Sequence, residues 1–182
     1  LLREFRTTDL DSLAAFANHP DMRRFEKGIP DYATARNFLE RAILKACETP
    51  RTSYYLAITV PPKDKIIGRI SLTSQNSEIR EWEIGWAVRK DDWQKGYASE
   101  AAHRMLDFAF NQLNAHRVVA FCHAENTASV KVMEKISMKN EGCLRQTRWF
   151  GGNWADELVY SILESDFIHE YPDLNDVLSA LI

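Results

Sequence analysis

The sequence predicts one mixed α/β domain, with a single mixed, mostly antiparallel sheet and flanking helices. Apolar patterns of period two and period 3.6 follow one another in the order β-α-α-β-β-β-α-β-α-β-β. Pro61-Pro62 and a charged turn join two strands as an antiparallel hairpin. Further on, two strand-to-helix junctions occur in succession, at residues 93–98 and 123–129.

The elements are expected as follows. Leu2 to Arg6 is a short strand, and Asp9 caps a helix carrying Leu10, Leu13, Ala14, Phe16 and Ala17. Asn18-His19-Pro20-Asp21 breaks that helix, and an irregular stretch runs to Tyr32. Residues 33–48 form a second helix with Ala35, Phe38, Leu39, Ala42, Ile43 and Ala46 on one face. Strands follow at 54–60, 66–72 and 81–89, the third with Trp82, Ile84, Trp86 and Val88 on one face and Glu81, Glu83, Gly85 and Ala87 on the other. The next helix buries Ala98, Ala101, Ala102, Met105, Leu106, Ala109 and Leu113. Arg117 to His123 is apolar on both faces, as a central strand is. A helix over 127–137 and strands at 140–149 and 155–164 complete the domain, and a tail with Val177, Leu178 and Leu181 suits an extra helix from about residue 166.

Composition narrows the class. The 182 residues, 45% hydrophobic and 27% charged, suit one domain with a substantial core. A formal charge of -3 gives no electrostatic reason to expect nucleic acid as a partner. Cys47, Cys122 and Cys143 are odd in number and widely spaced, so neither a disulfide framework nor a zinc site is expected. Cys122, in an apolar run, reads as a small buried hydrophobe. The histidines form no metal-binding pair, and no metal is expected. No run has the length of a membrane span or a signal core, so a cytoplasmic protein is the expectation, as monomer or homodimer. The chain starts at Leu1 rather than Met, and residues before it are expected.

The first junction, Trp93-Gln94-Lys95-Gly96-Tyr97-Ala98, places a glycine and a lysine where a helix begins. Backbone N–H groups at a helix N-terminus hold phosphate. Neither the dinucleotide glycine fingerprint nor the triphosphatase loop is present, and taken alone the turn is accounted for better by a plain helix start. In the second, His123-Ala124-Glu125-Asn126-Thr127-Ala128-Ser129, Asn126 caps a helix. If the two strands lie side by side, both junctions open at one end of the sheet, where α/β ligand sites gather.

Together these segments carry a resemblance. Residues 93–101 after Glu83-Ile84-Gly85, with Asn126-Thr127-Ala128-Ser129 and Asp156-Glu157-Leu158-Val159-Tyr160-Ser161, resemble the GNAT acyltransferase superfamily. The likeness runs from Leu2 to about Phe167 and is greatest to the ribosomal-protein N-terminal acetyltransferase branch (RimJ/RimL-like). The chain departs from that pattern at Gln94, where the branch has glycine and a negative φ is therefore expected here. It departs again at Ile136-Ser137-Met138, where a glycine C-cap is lost, and at Met133, where many members have a catalytic tyrosine.

The resemblance implies acetyl transfer from acetyl-CoA to an amine in a ternary complex. The N–H groups of Gln94, Lys95, Gly96, Tyr97, Ala98 and Ser99 would cradle the pyrophosphate. Lys95 and Lys131 would face phosphates, with a solvated surface role as the alternative. The backbone around Ala87 and Val88, together with Asn126, would hold the pantetheine arm, and a strand N–H would stabilise charge on the thioester oxygen. Ser129 would donate to the departing thiolate. Glu83 would take the ammonium proton through water, with Glu157 in reserve. Phe25, Tyr32, Trp149 and Trp154 would wall the acceptor site, with a place in the core as the alternative. The acceptor is a protein N-terminus or a small amine; the competing class is a CoA-binding module without turnover.

Overall fold

A computed structural model of the chain describes residues 1–17, 19, 24–25, 31–150 and 152–170. The elements are β1 (Leu2–Glu4), α1 (Leu10–Ala17), α2 (Tyr32–Ala46), β2 (Ser53–Val60), β3 (Lys63–Asn76), β4 (Glu81–Val88), α3 (Tyr97–Asn111), β5 (Arg117–His123), α4 (Thr127–Lys135), β6 (Lys139–Phe150), β7 (Asn153–Leu163) and α5 (Glu164–Glu170). Their order is the expected one. The strand after Pro61-Pro62 is longer than its apolar run, because its polar ends still pair with β2 and β4.

The strands form one seven-stranded sheet in the order β1-β2-β3-β4-β5-β7-β6. Every neighbouring pair is antiparallel except β4 with β5. That parallel pair sets the site. It holds only from Glu81↔Arg117 to Glu83↔Val119, whereas β4 stays paired with β3 to Val88 and β5 with β7 to His123. Past Glu83 the two strands diverge, leaving a wedge-shaped gap in the middle of the sheet.

Arg117 clasps the closed end. Its guanidinium donates to Glu81 at 2.8 Å and to both oxygens of Glu141 on β6 at 2.6 Å, and Ser161 Oγ donates to Glu141 at 2.5 Å. These bonds hold the Glu141 carboxyl down at about 2.

The helices cover the two faces differently. On one face α3 and α4 bury Ala102, Met105, Leu106, Ala109 and Met133 against Leu72, Ile84, Val118 and Ile162. Phe167 of α5 enters the same core beside Phe110, their ring centroids 5.0 Å apart. The expected C-terminal extension therefore contributes to the domain core at Phe167, while Val177, Leu178 and Leu181 lie outside the described residues. On the other face α1 and α2 pack Leu13, Ala14, Ala35, Leu39 and Ala42 on Ala57 and Ile66, toward the β1–β3 side. Glu83 and Phe121, on that face but beyond those helices, keep access to solvent.

Candidate active site

Both junctions open at the wide end of the gap, because β4 and β5 run parallel. After β4 a short 3-10 turn over Lys90–Asp92 leads to Gly96, the N-cap of α3. Buried Asp92 pairs with Arg89 and accepts from Lys95 Nζ at 2.9 Å, which ties the turn to the strand end. The Trp93 indole N–H donates to the Val88 carbonyl at 2.5 Å.

Gly96 has φ +85° and offers no side chain to cap the helix. The N–H groups of Tyr97, Ala98 and Ser99 open the helix without intrahelical partners, at the positive end of its dipole. The reason for glycine is conformational: a Cβ there would meet nothing nearer than Lys135 Nζ at 4.0 Å, but its backbone would be strained.

One expectation for this turn changes. Gln94 has φ +61°, in the left-handed region rather than the negative one, so the backbone keeps a glycine-like shape without glycine. Lys95 is engaged by Asp92, and Lys131 is exposed. The lysine beside Gly96 is Lys135, from the last turn of α4. No spacing in the sequence reveals it, because only the packing of α4 on α3 brings the two together.

The second junction is built differently. Asn126 Oδ1 accepts from Ser129 N–H at 3.1 Å, so this helix is capped by a side chain, with Ser129 on its first turn. At the other end Ser137 takes φ +63°; its N–H bonds Glu134 O at 3.0 Å and that of Met138 bonds Met133 O at 2.9 Å. This is the left-handed C-cap that a missing glycine was expected to remove. Met133, at the tyrosine position, is buried in the core.

The gap edge of β4 follows from hydrogen-bond parity. Arg89 N–H donates to Ile67 O at 2.8 Å. Strand alternation then turns the peptide groups of Gly85 and Ala87 toward β3 and those of Trp86 and Val88 into the gap. Ala87, expected on this edge, contributes only its small side chain; Trp86 takes its place. Val88 keeps its N–H available, since its carbonyl holds the Trp93 indole.

Two carboxylates share the face left open by α1 and α2. Glu83 stands at the vertex of the gap, opposite Val119, with Gly85 and Ala87 continuing along its face toward the mouth. Half-buried, its carboxyl is pushed up from the usual range, first by burial and second by the charge of Glu157, with Arg148 opposing. Glu157 on β7 lies opposite His123 of β5 and forms an ion pair with Arg148 of β6. Only 9% of Glu157 is exposed. His123 Nδ1 accepts the Glu125 N–H at 3.1 Å, an arrangement that selects the tautomer with its proton on Nε2. Cys122, on the opposite face of β5, is pushed up to about 11 by burial and stays a thiol.

The four aromatics go to three places. Phe25 stacks on His123 with centroids 5.0 Å apart, beside the carboxylates. Tyr32 donates to Asp11 at 3.0 Å and sits at the start of α2. Trp149 and Trp154 pack edge-to-face at 5.1 Å where β6 meets β7. Both are exposed and outside the core. Other residues between Arg24 and Tyr32 lie outside the described set. Among the described residues no three His, Cys, Asp or Glu side chains gather as a metal-ion set, and no helix is long and apolar enough to cross a membrane.

A sheet parted between two parallel strands, with an uncapped and a capped helix at the mouth, defines an acyl-CoA N-acyltransferase fold. Residues 1–139 match the acetyltransferase (GNAT) domain family, and the chain belongs to it. It is an N-acetyltransferase with acetyl-CoA as co-substrate. Over 168 residues it is 30% identical to the uncharacterized N-acetyltransferase YnaD of Bacillus subtilis, covering 92% of this chain and 95% of that one. The crystal structure of a GNAT-family acetyltransferase from Bacillus anthracis superposes with TM-score 0.79 at 30% identity, over 91% of this chain and 95% of that chain. Spermidine N-acetyltransferase from Vibrio cholerae, crystallised with CoA and spermine, gives TM-score 0.79 at 21% identity, over 92% of this chain and 97% of that one. That last likeness is one of fold.

Proposed function

We propose that the protein moves an acetyl group from acetyl-CoA to a primary amine, by direct attack of the amine in a ternary complex. The divergence of β4 from β5 after Glu83 carries this reading. The gap edge presents the Trp86 peptide groups and the Val88 N–H, which suit an amide-bearing extended arm, and it opens beside the N-terminus of α3. The donor, when bound, supplies an activated thioester. Gly96 to Ser99 hold its pyrophosphate, with Lys135, Lys95 and Lys131 as candidate cations. Asn126 and the Trp86–Val88 edge position its arm, and a strand N–H faces the thioester oxygen.

Ser129 donates a hydrogen bond to the leaving thiolate and stabilises its charge. Glu83, raised and at the vertex, takes a proton from the acceptor ammonium through water, and Glu157 shapes the field around it. The acceptor amine enters over Phe25 and His123. The motifs around Gly96 and Asn126 favour a protein N-terminus as acceptor, as in the RimJ/RimL-like branch. Small polyamines, which the Vibrio cholerae protein holds as spermine, are the other class to assay.

Calorimetric titration with acetyl-CoA tests the donor, and a thiol-release assay over N-terminal peptides and small amines tests the reaction. Saturable heat and amine-dependent thiol release are expected; no heat and no thermal shift at millimolar acetyl-CoA would sink the reading. Met133 in place of tyrosine favours one second reading, a CoA-binding module. Binding without turnover across the panel, indifferent to Ser129→Ala, would establish it.

A further inference from the structure

We propose that Arg148 is the positioning residue that makes Glu83, rather than Glu157, the proton acceptor of this site. The inference rests on the reading of Glu83 as base given above. Its ground is a bulge in β6. The β6–β7 register passes from Leu144↔Glu157 to Arg148↔Ala155, so Arg145, Gln146 and Thr147 span a single residue, Asp156. An unbroken ladder would set Arg148 opposite Asn153, out at the hairpin tip. The bulge draws it in by two positions, onto the face and within reach of Glu157.

Asp156 fixes the irregularity from both sides. Its Oδ1 accepts Gln146 N–H at 2.8 Å and its carbonyl accepts Ala124 N–H at 2.9 Å, and Gln146 takes φ +54°. Asp156 thus holds the left-handed Gln146 with its side chain and the β5–α4 junction with its carbonyl, tying the bulge that places Arg148 to the wall of the gap.

The consequence is chemical. Two carboxylates in one field do not ionise alike, and the one with a cation in contact holds its charge. Arg148 forms an ion pair with Glu157, and Glu83 beside them is raised first by burial and then by the Glu157 charge, with Arg148 opposing. Other charged or titratable groups face Glu83 from its neighbours: Tyr55 of β2, Arg69 of β3, Glu81 on its own strand, and Arg117 and His123 of β5. Arg69 lies over the Phe38 ring and Arg117 is bonded to Glu81 and Glu141, so neither takes the part of Arg148. In the proton step the acceptor R–NH3+ loses H+ through water, the Glu83 carboxylate becomes a carboxylic acid, and the neutral amine keeps the electron pair that attacks the thioester.

The test is the acid limb of the kcat/KM profile in the thiol-release assay. Arg148→Met leaves the Glu157 charge uncompensated and moves the limb to higher pH by roughly one unit. Glu157→Gln removes the like charge and moves it to lower pH, and Arg148→Lys restores the wild-type position. Opposite shifts with rescue support the proposal. A limb that stays in place in both variants, whatever the rate, or that moves the same way in both, overturns it. If Arg148→Met does not fold, Arg148→Lys and Glu157→Gln still carry the comparison. Glu83→Gln separates the two levels: full activity with an unchanged limb overturns Glu83 as base. A limb lost in Glu83→Gln but fixed in the Arg148 and Glu157 variants removes Arg148 alone.

Discussion

The β4–α3 and β5–α4 junctions are neighbours at one end of one sheet, yet they are finished in opposite ways. The first has a glycine N-cap with φ +85° and no side chain over the helix start. The second has Asn126 accepting the Ser129 N–H. An uncapped helix leaves donors and dipole for an outside anion; a capped one satisfies its own backbone and presents side chains instead. One junction is suited to holding charge and the other to placing functional groups. On the proposed reading, the difference matches the pyrophosphate to α3 and the thiol end to α4.

Gly96→Val attacks the first junction where it is most exposed. A β-branched residue at that φ is strained by about 1–3 kcal/mol and forces the turn to rebuild. Acetyl-CoA affinity by calorimetry is expected to fall at least ~100-fold; unchanged affinity would remove the cradle. Ser129→Ala attacks the second. Turnover is expected to drop ~10²-fold with acetyl-CoA affinity unchanged, and an equal loss of both would mean that Ser129 holds the donor rather than assisting departure. Gln94→Gly probes the smallest contrast, a left-handed residue that carries a side chain. Relief of strain, less the entropy of glycine, should raise stability by about 0.5–1 kcal/mol in urea unfolding. A loss would show the Gln94 side chain to be an anchor of the turn.

Much of this was legible from sequence because it is local. The α3 stripe, the Asn126 cap and the alternation of β4 each depend on spacing along one element. What escaped depends on packing between elements. Lys135 meets Gly96 only through α4 on α3, Phe25 meets His123 only through the α1–α2 connection, and the Arg148–Glu157 pair exists only because β6 bulges. Two errors share one cause. At Gln94 and Ser137 the backbone shape is expected to go with the glycine, but both residues take the left-handed region, Ser137 with its N–H and that of Met138 bonded back into α4. Parity misled at Ala87, where side-chain face was legible but hydrogen-bond direction needed the pairing with β3.

The three-residue seam between Glu81–Glu83 and Arg117–Val119 makes the sheet a pair of panels on a hinge. Folding alone leaves that hinge line unfinished, so a chain of amides lying in the gap would act as a missing strand and stiffen the protein across its waist. Backbone amide exchange at Trp86 and Val88 would slow on loading, long before any change in helix content. The clasp at the other end is set to a different chemistry. Glu141, held at about 2, gives stability that is fully present above the ordinary carboxylate range and is lost only as pH falls through that value. The clasp therefore holds until pH falls toward that value.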